Sequence, residues 1–316
     1  MSSSQPTPIL FCYDISIFSR KMDHYLGLRG IVYNQCIQPP NMPRPDLEAL
    51  GINYRKIPIL AIGKDIYIDT HLIIPKLESL YPDNVLGSSK PFEQGLEKIF
   101  ESWVTDAGPF WKTAGCMPLS SPALNDEVWM KDRAELVGPQ FTLENLRAGR
   151  SDCLAHWVFD TEKPTLGDLH LGFCFDWALH IQMGDGTETV DNNVLNEHKY
   201  PKVFAWVERF REAYSESIKM MGSPQIVSSE VAIRNILTAE FTEAEGAFLA
   251  DDPLHLEKDQ IVEVGPAAFG GGRVDRGRLI SLSVHGVVIE KAAPTGELLR
   301  LHFPRAGYQI TMVEGA

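Results

Sequence analysis

The stretch RKIPILAIGKDIYIDTHLI, residues 55–73, constrains the fold more than any other part of the chain. Two short apolar runs, 58–62 and 65–69, are parted by Gly63-Lys64, and glycine at the first central position suits a two-residue type II′ hairpin. The first run opens on Pro58, which has no N–H to give a ladder, so its entrance belongs at a strand start or a sheet edge. The second run ends in a polar pair, Asp69-Thr70, before LIIPKLESLYP takes up helical spacing around Pro75.

The flanking sequence extends this unit. PILFCYD reads as a strand. SIFSRKMDHYLGLRGI reads as a helix with Ile17, Met22, Tyr25, Leu26 and Leu28 as apolar positions and Gly30 as its stop. IVYNQCI is a second strand, and PPNMPRPDLEALG is a proline-rich loop entering a short helix. The order over residues 8–84 is β-α-β-α-β-β-α, an α/β domain. Between residues 90 and 222 four long stretches carry apolar residues at helical spacing, which predicts an all-α domain. Residues 225–316 begin with a helix, SSEVAIRNILTAEF, capped by Ser228 or Ser229. They then alternate: Ile280, Leu282 and Val284 share one face, and Leu299, Leu301 and Phe303 share another, with Arg300 and His302 opposite. This is a linker helix and a small all-β module, for which a barrel is one available form.

Composition narrows the partners. The formal charge of −13 over 316 residues argues against non-specific nucleic-acid or anionic-membrane binding. No apolar run approaches the length of a membrane span. The start, MSSSQPTPILFCYD, lacks the pattern of a signal peptide. Five cysteines, Cys12, Cys36, Cys116, Cys153 and Cys174, never form a C-x-x-C pair. That fits neither a disulfide framework nor a zinc site, so a reducing, cytoplasmic setting is expected. His170 and His180 lack metal-ligand spacing, and no metal is expected. FGGGRVDRG (269–277) lacks the Lys-Ser/Thr ending of a phosphate loop and reads as a hairpin loop.

The chemistry gathers at the ends of the hairpin. An Ile-Pro step at a strand start on an exposed edge is a place where a cis bond is tolerated. Such a bond would turn the main chain of Ile57 outward, to pair with a peptide-like ligand by β-augmentation. Thr70, as N-cap or first helical residue, would bring a hydroxyl and backbone donors to an anion. Asp69 adds an acceptor for an ammonium group. Together these make a receptor for an α-amino acid head group.

The KIPIL motif, the DTHLI that follows it, and an α/β domain followed by a helical one resemble the glutathione transferase superfamily. The resemblance covers roughly residues 8–222. It implies a thioredoxin-like N-terminal domain and an all-α C-terminal domain, with the β module as an addition. It implies that Ile57, before Pro58, binds the cysteinyl part of glutathione through its backbone, and that Asp69 and Thr70 hold the γ-glutamyl head group. EKPTLGDLHLGF resembles the family's buried capping motif, here Thr165 and Asp168. PRPDLEALGINYRKIPILAIG resembles a fungal-type branch of the superfamily. A homodimer and an apolar electrophile as partner are further implications.

Alignment with the first helix of the serine and cysteine classes puts Ser16 at the thiol-activating position. A free thiol of pKa about 8.5 is only about 3% thiolate at neutral pH. Lowering that pKa by about two units needs about 2.7 kcal/mol of differential stabilisation. A hydroxyl donor and the positive helix N-terminus are of that order. Ser16 could equally be a plain N-cap, and Tyr13 or Ser19 could be the donor instead. Cys12 is expected to be buried and inert. Arg44 and Arg55 are candidates for the glycyl carboxylate or solvated surface charges. Trp103, Phe110 and Trp111 in SWVTDAGPFW are candidates for an apolar pocket between the two domains or for core.

The functional expectation is an enzyme that attaches the glutathione thiolate to, or uses it on, a small apolar electrophile. Two rivals stand beside it. One is an isomerase, dehydratase or cyclising enzyme of secondary metabolism on the same fold, with or without glutathione. The other is a non-catalytic ligand-binding or scaffold protein.

Overall fold

A computed structural model describes residues 6–107, 110–111, 117, 121–148, 165–180, 195–268 and 272–313. Contacts divide the chain into two compact units, one of residues 1–14, 32–77 and 224–316, the other of residues 15–31 and 78–223. The sequence-based divisions at 8–84, 90–222 and 225–316 follow the order of the chain. The contacts group its segments differently, because the first helix counts with the helical unit and the C-terminal strands with the N-terminal sheet.

The first unit is built on strands β1 (Ile9–Cys12), β2 (Asn34–Ile37), β3 (Ile59–Ile62) and β4 (Asp65–Ile68). Along the chain, helix α1 (Ile17–Arg29) follows β1, α2 (Pro45–Ala49) follows β2, and α3 (Thr70–Leu80) follows β4. β1 runs parallel to β2 and antiparallel to β3, and β3 is antiparallel to β4, which is a thioredoxin-like arrangement. Every residue of β1, β3 and β4 is buried, as expected of strands covered on both faces. Gly63 joins β3 to β4 at φ 58°, and a Cβ there would lie 2.4 Å from the Glu240 carbonyl oxygen, so both turn and neighbour demand glycine.

The C-terminal strands continue this sheet. They are β5 (Gln225–Ile226), β6 (Ile261–Pro266), β7 (Asp275–Leu282), β8 (Gly286–Ala292), β9 (Leu298–Pro304) and β10 (Tyr308–Met312). The sheet order is β10-β6-β7-β8-β9-β4-β3-β1-β2-β5, with β9 parallel to β4. β9 and β10 are joined by residues 305–307 alone, yet they stand at opposite ends of the run β10-β6-β7-β8-β9. The run must therefore curl until its ends approach, and a register shift between Leu279 and Ser281 adds to the twist.

One expectation on this module needs correction. Val284 is 68% exposed, because β7 ends at Leu282. Arg300 and His302 lie on the face opposite Leu299, Leu301 and Phe303, and the residue 240s loop covers that face: Arg300 donates to the Glu243 carbonyl and His302 pairs with Asp65. Asp65 is fully buried, and its carboxylate also accepts from the Thr242 amide and hydroxyl. These bonds are what make a charge tolerable at a strand start inside the sheet. The linker helix α10 (Ser229–Thr238) is capped by Ser228.

The helical unit contains α1, α4 (Pro91–Ser102), a π-helical turn (Trp103–Ala107), α5 (Pro122–Asn125), α6 (Glu127–Val137), α7 (Leu143–Ala148), α8 (Leu166–His180) and α9 (Pro201–Met221). α1 stops at Gly30, in the left-handed conformation at φ 66°. Before α8, the Thr165 hydroxyl and amide donate to Asp168 at 2.8 and 3.0 Å, and the Asp168 amide returns a bond to the Thr165 hydroxyl. The other Asp168 oxygen accepts from Trp206 of α9, so the capping pair also ties two helices together. Among the described residues no helix is long and apolar enough to cross a membrane.

Candidate functional site

The β3–β4 ladder pairs Ile59 with Ile68, so the chain entering β3 and the chain leaving β4 flank the same end of the hairpin. At that end the Ile57–Pro58 bond is cis. Ile57 lies outside the strand, and among the described residues no hydrogen bond reaches its N–H or C=O. A buried main-chain step left unpaired beside a strand is a place where an extended peptide can add.

Across the hairpin end, Asp69 acts as the N-cap of α3. Its carbonyl accepts from the Ile73 amide at 2.9 Å, and its Oδ1 accepts from the His71 amide at 3.1 Å. The His71 ring nitrogen Nδ1 lies 2.9 Å from the same oxygen. Asp69 holds φ 76°, in the left-handed region that short polar side chains enter more readily than others. Thr70 is buried as the first residue of the helix.

The second carboxylate oxygen of Asp69 faces the C-terminal module. Oδ2 accepts from the Tyr308 hydroxyl at 3.0 Å, and that hydroxyl lies 2.8 Å from the Tyr54 hydroxyl. Burial pushes the Asp69 carboxyl up, but the hydrogen bonds and charge of His71, with Lys56 beyond, outweigh it. The group is held well below the usual carboxylate range. Burial and the neighbouring Asp69 charge raise both tyrosines well above the usual phenol value. At neutral pH the arrangement is a carboxylate facing two protonated phenols.

Ser16, in the helical unit, precedes α1 in an extended conformation. Its Oγ accepts from the Ser19 amide at 3.2 Å and its carbonyl accepts from the Arg20 amide at 2.9 Å. Ser16 is therefore the N-cap. Capping uses its oxygen as an acceptor and leaves the hydroxyl proton for another partner, so the capping and donor readings are compatible. Trp177 of α8 fixes the approach by donating to the Ile15 carbonyl at 3.1 Å. Tyr13, in the sheet unit, lies under the Arg44 guanidinium, 5.7 Å from its ring centre.

Arg44 and Arg55 are both buried, which corrects the reading of them as solvated surface charges. Arg44 is committed to main-chain carbonyls, those of Pro39 at 3.1 Å and Arg55. Cys12 is buried. Phe110 packs against Phe18 and Trp111 with ring centres 5.0 and 4.8 Å apart. Trp103, at the start of the π-helical turn, is 45% exposed. Cys116 and Cys153 lie outside the described residues.

Sequence reasoning missed His71, Tyr54 and Tyr308. His71 carried a local signal, since the second residue after an N-cap is where a capping carboxylate reaches. Tyr308 stands 239 positions from Asp69 and carried none.

A thioredoxin-like sheet with this hairpin, followed along the chain by a helical region, defines the glutathione transferase class of fold. Residues 10–85 match the family model for the glutathione S-transferase N-terminal domain, and residues 155–219 match a domain of unknown function, DUF7962. Glutathione S-transferase U4 of Arabidopsis thaliana is 22% identical over 62% of this chain and 81% of its own length. Glutathione S-transferase U1 of the same plant is 21% identical over 67% and 88%. The crystal structure of a GST-like protein from Pseudomonas syringae superposes with a TM-score of 0.70 at 22% identity, covering 96% of this chain and 99% of that one. That coverage extends the shared fold through the C-terminal strands. The chain thus carries a glutathione S-transferase N-terminal domain over residues 10–85 and shares its fold with the GST-like protein.

Proposed function

We propose that the protein is a glutathione-dependent transferase acting on a small apolar electrophile. The observation that carries this reading is the unpaired main chain of Ile57, at the hairpin end it shares with Asp69 and Thr70. Ile57 would pair with the cysteinyl backbone of glutathione. Asp69, ionised at neutral pH, would accept from the γ-glutamyl ammonium, and Thr70 with the start of α3 would meet its carboxylate. Bound glutathione supplies a thiol whose anion attacks carbon. Ser16, whose hydroxyl proton is not used in capping, would donate to that anion, with Tyr13 as the alternative donor. Trp103, Phe110 and Trp111 are the proposed apolar lining for the second substrate. A cytoplasmic homodimer serving secondary metabolism completes the proposal and rests on the family resemblance.

Calorimetric titration with glutathione tests it. Micromolar to millimolar binding supports the reading, and no binding at several millimolar contradicts it. Ser16→Ala is expected to reduce the ultraviolet thiolate absorption of bound glutathione. An unchanged signal would move the donor role to Tyr13 or to backbone amides.

A further inference from the structure

The proton order of the Tyr54, Tyr308 and Asp69 chain follows from chemistry alone. An ionised carboxylate only accepts, so the single proton of Tyr308 goes to Asp69 Oδ2. The Tyr308 oxygen is then left to accept, and the Tyr54 hydroxyl must donate to it. The three groups form a directed relay that ends on the one carboxylate oxygen not used by the cap of α3. Both phenols are buried, at 3% and 7% exposure, so bulk water does not substitute for either bond.

The two ends of the relay are each anchored. Tyr308 opens β10, pairs across from Pro266 of β6, and packs its ring 5.7 Å from that of Phe303 on β9. The main-chain amides of Asn53 and Tyr54 donate to Asp275 at the start of β7, at 2.9 and 3.1 Å. Lys291 of β8 closes that corner with a 2.8 Å contact to Asp275. The curled C-terminal module thus grips the segment leading to Ile57 and reaches past it to Asp69. With Oδ1 filled by His71 and one bond on Oδ2 from Tyr308, a single acceptor direction on Oδ2 stays open to a ligand donor.

We infer that Tyr308, backed by Tyr54, is a positioning residue that aims the free lone pair of Asp69 at an ammonium group, making the C-terminal module part of the ligand site. This inference rests on the glutathione reading above, and it gives the added module a role in head-group recognition.

The test compares two ligands on the full chain: glutathione, and its analogue with a glutaryl group in place of γ-glutamyl, which lacks only the ammonium. Tyr308→Phe keeps the ring and its packing and removes the hydroxyl. It is expected to weaken glutathione binding about fivefold to tenfold, as for a lost bond to a charged group, while binding of the glutaryl analogue stays within about twofold of its original strength. A merely structural role would move both ligands together. Tyr54→Phe, one bond further out, is expected to give the same selectivity at smaller size, and it carries the test should Tyr308→Phe fail to fold. Equal loss of both ligands, or no loss of either, overturns the assignment and leaves the glutathione reading standing. Absence of glutathione binding by the unaltered protein overturns that reading, and this assignment with it.

Discussion

At the scale of single residues, Asp69 carries two loads. It caps α3 through Oδ1 and its carbonyl, and it presents charge through Oδ2. Asp69→Ala removes both and is expected to weaken glutathione binding by about 1–3 kcal/mol through the lost charged contact. It also lowers stability by about 1 kcal/mol through the lost cap. Asp69→Asn separates the two, because an amide oxygen can still cap. Calorimetry should show most of the binding loss, and thermal unfolding should show little of the stability loss. An unchanged dissociation constant in both variants would reject Asp69 as a ligand contact. Asp69 was legible because a polar pair interrupting an apolar run at a strand-to-helix junction needs a reason. Its partner Tyr308 was not, since a tyrosine at the start of a distant strand differs in no local way from any other core tyrosine.

At the scale of elements, α1 is held to α8 and α9 by a buried polar cluster. Asp176 is fully buried and pairs with Arg20 at 3.0 Å and Arg211 at 3.1 Å. His24 lies 3.3 Å from the same carboxylate, between the edges of Phe210 and Tyr214. Burial, the largest influence, drives the His24 imidazole down to about 3; Asp176 pulls the other way and Arg20 and Arg211 reinforce the fall. In the unfolded chain the group titrates near 6.5, so between these values the unfolded state binds more protons. The stability that neutral His24 contributes is present above about pH 6.5 and is lost as pH falls toward 3, at up to about 1.4 kcal/mol per pH unit. Denaturant unfolding at about pH 7 and about pH 5 should show this loss, and His24→Leu should shrink it. An equal acid loss in that variant would place the sensitivity elsewhere. The helix itself, its serine cap and its glycine stop were all written locally, as was the Thr165–Asp168 pair. The charge cluster was not, because it joins residues from three helices.

For the molecule as a whole, the main departure from the expected α/β domain, all-α domain and separate β module is that the added strands lengthen the N-terminal sheet. β9 covers the edge of β4, and the residue 240s loop satisfies Asp65. A chain ended after residue 222 would expose the β4 edge and strip the buried Asp65 of Thr242 and His302. It is expected to be insoluble or unfolded by circular dichroism; a soluble, folded product would show that the module is dispensable. The strands of the module were legible from alternation. Their joining to β4 was not, because parallel pairing between segments more than 200 positions apart leaves no periodic trace. The most direct test of the central claim is a crystal structure of the full chain soaked with glutathione. The account predicts the cysteinyl N–H and C=O paired with the main chain of Ile57, and the γ-glutamyl ammonium on Asp69 Oδ2. Glutathione bound elsewhere, with Ile57 still unpaired, would contradict it.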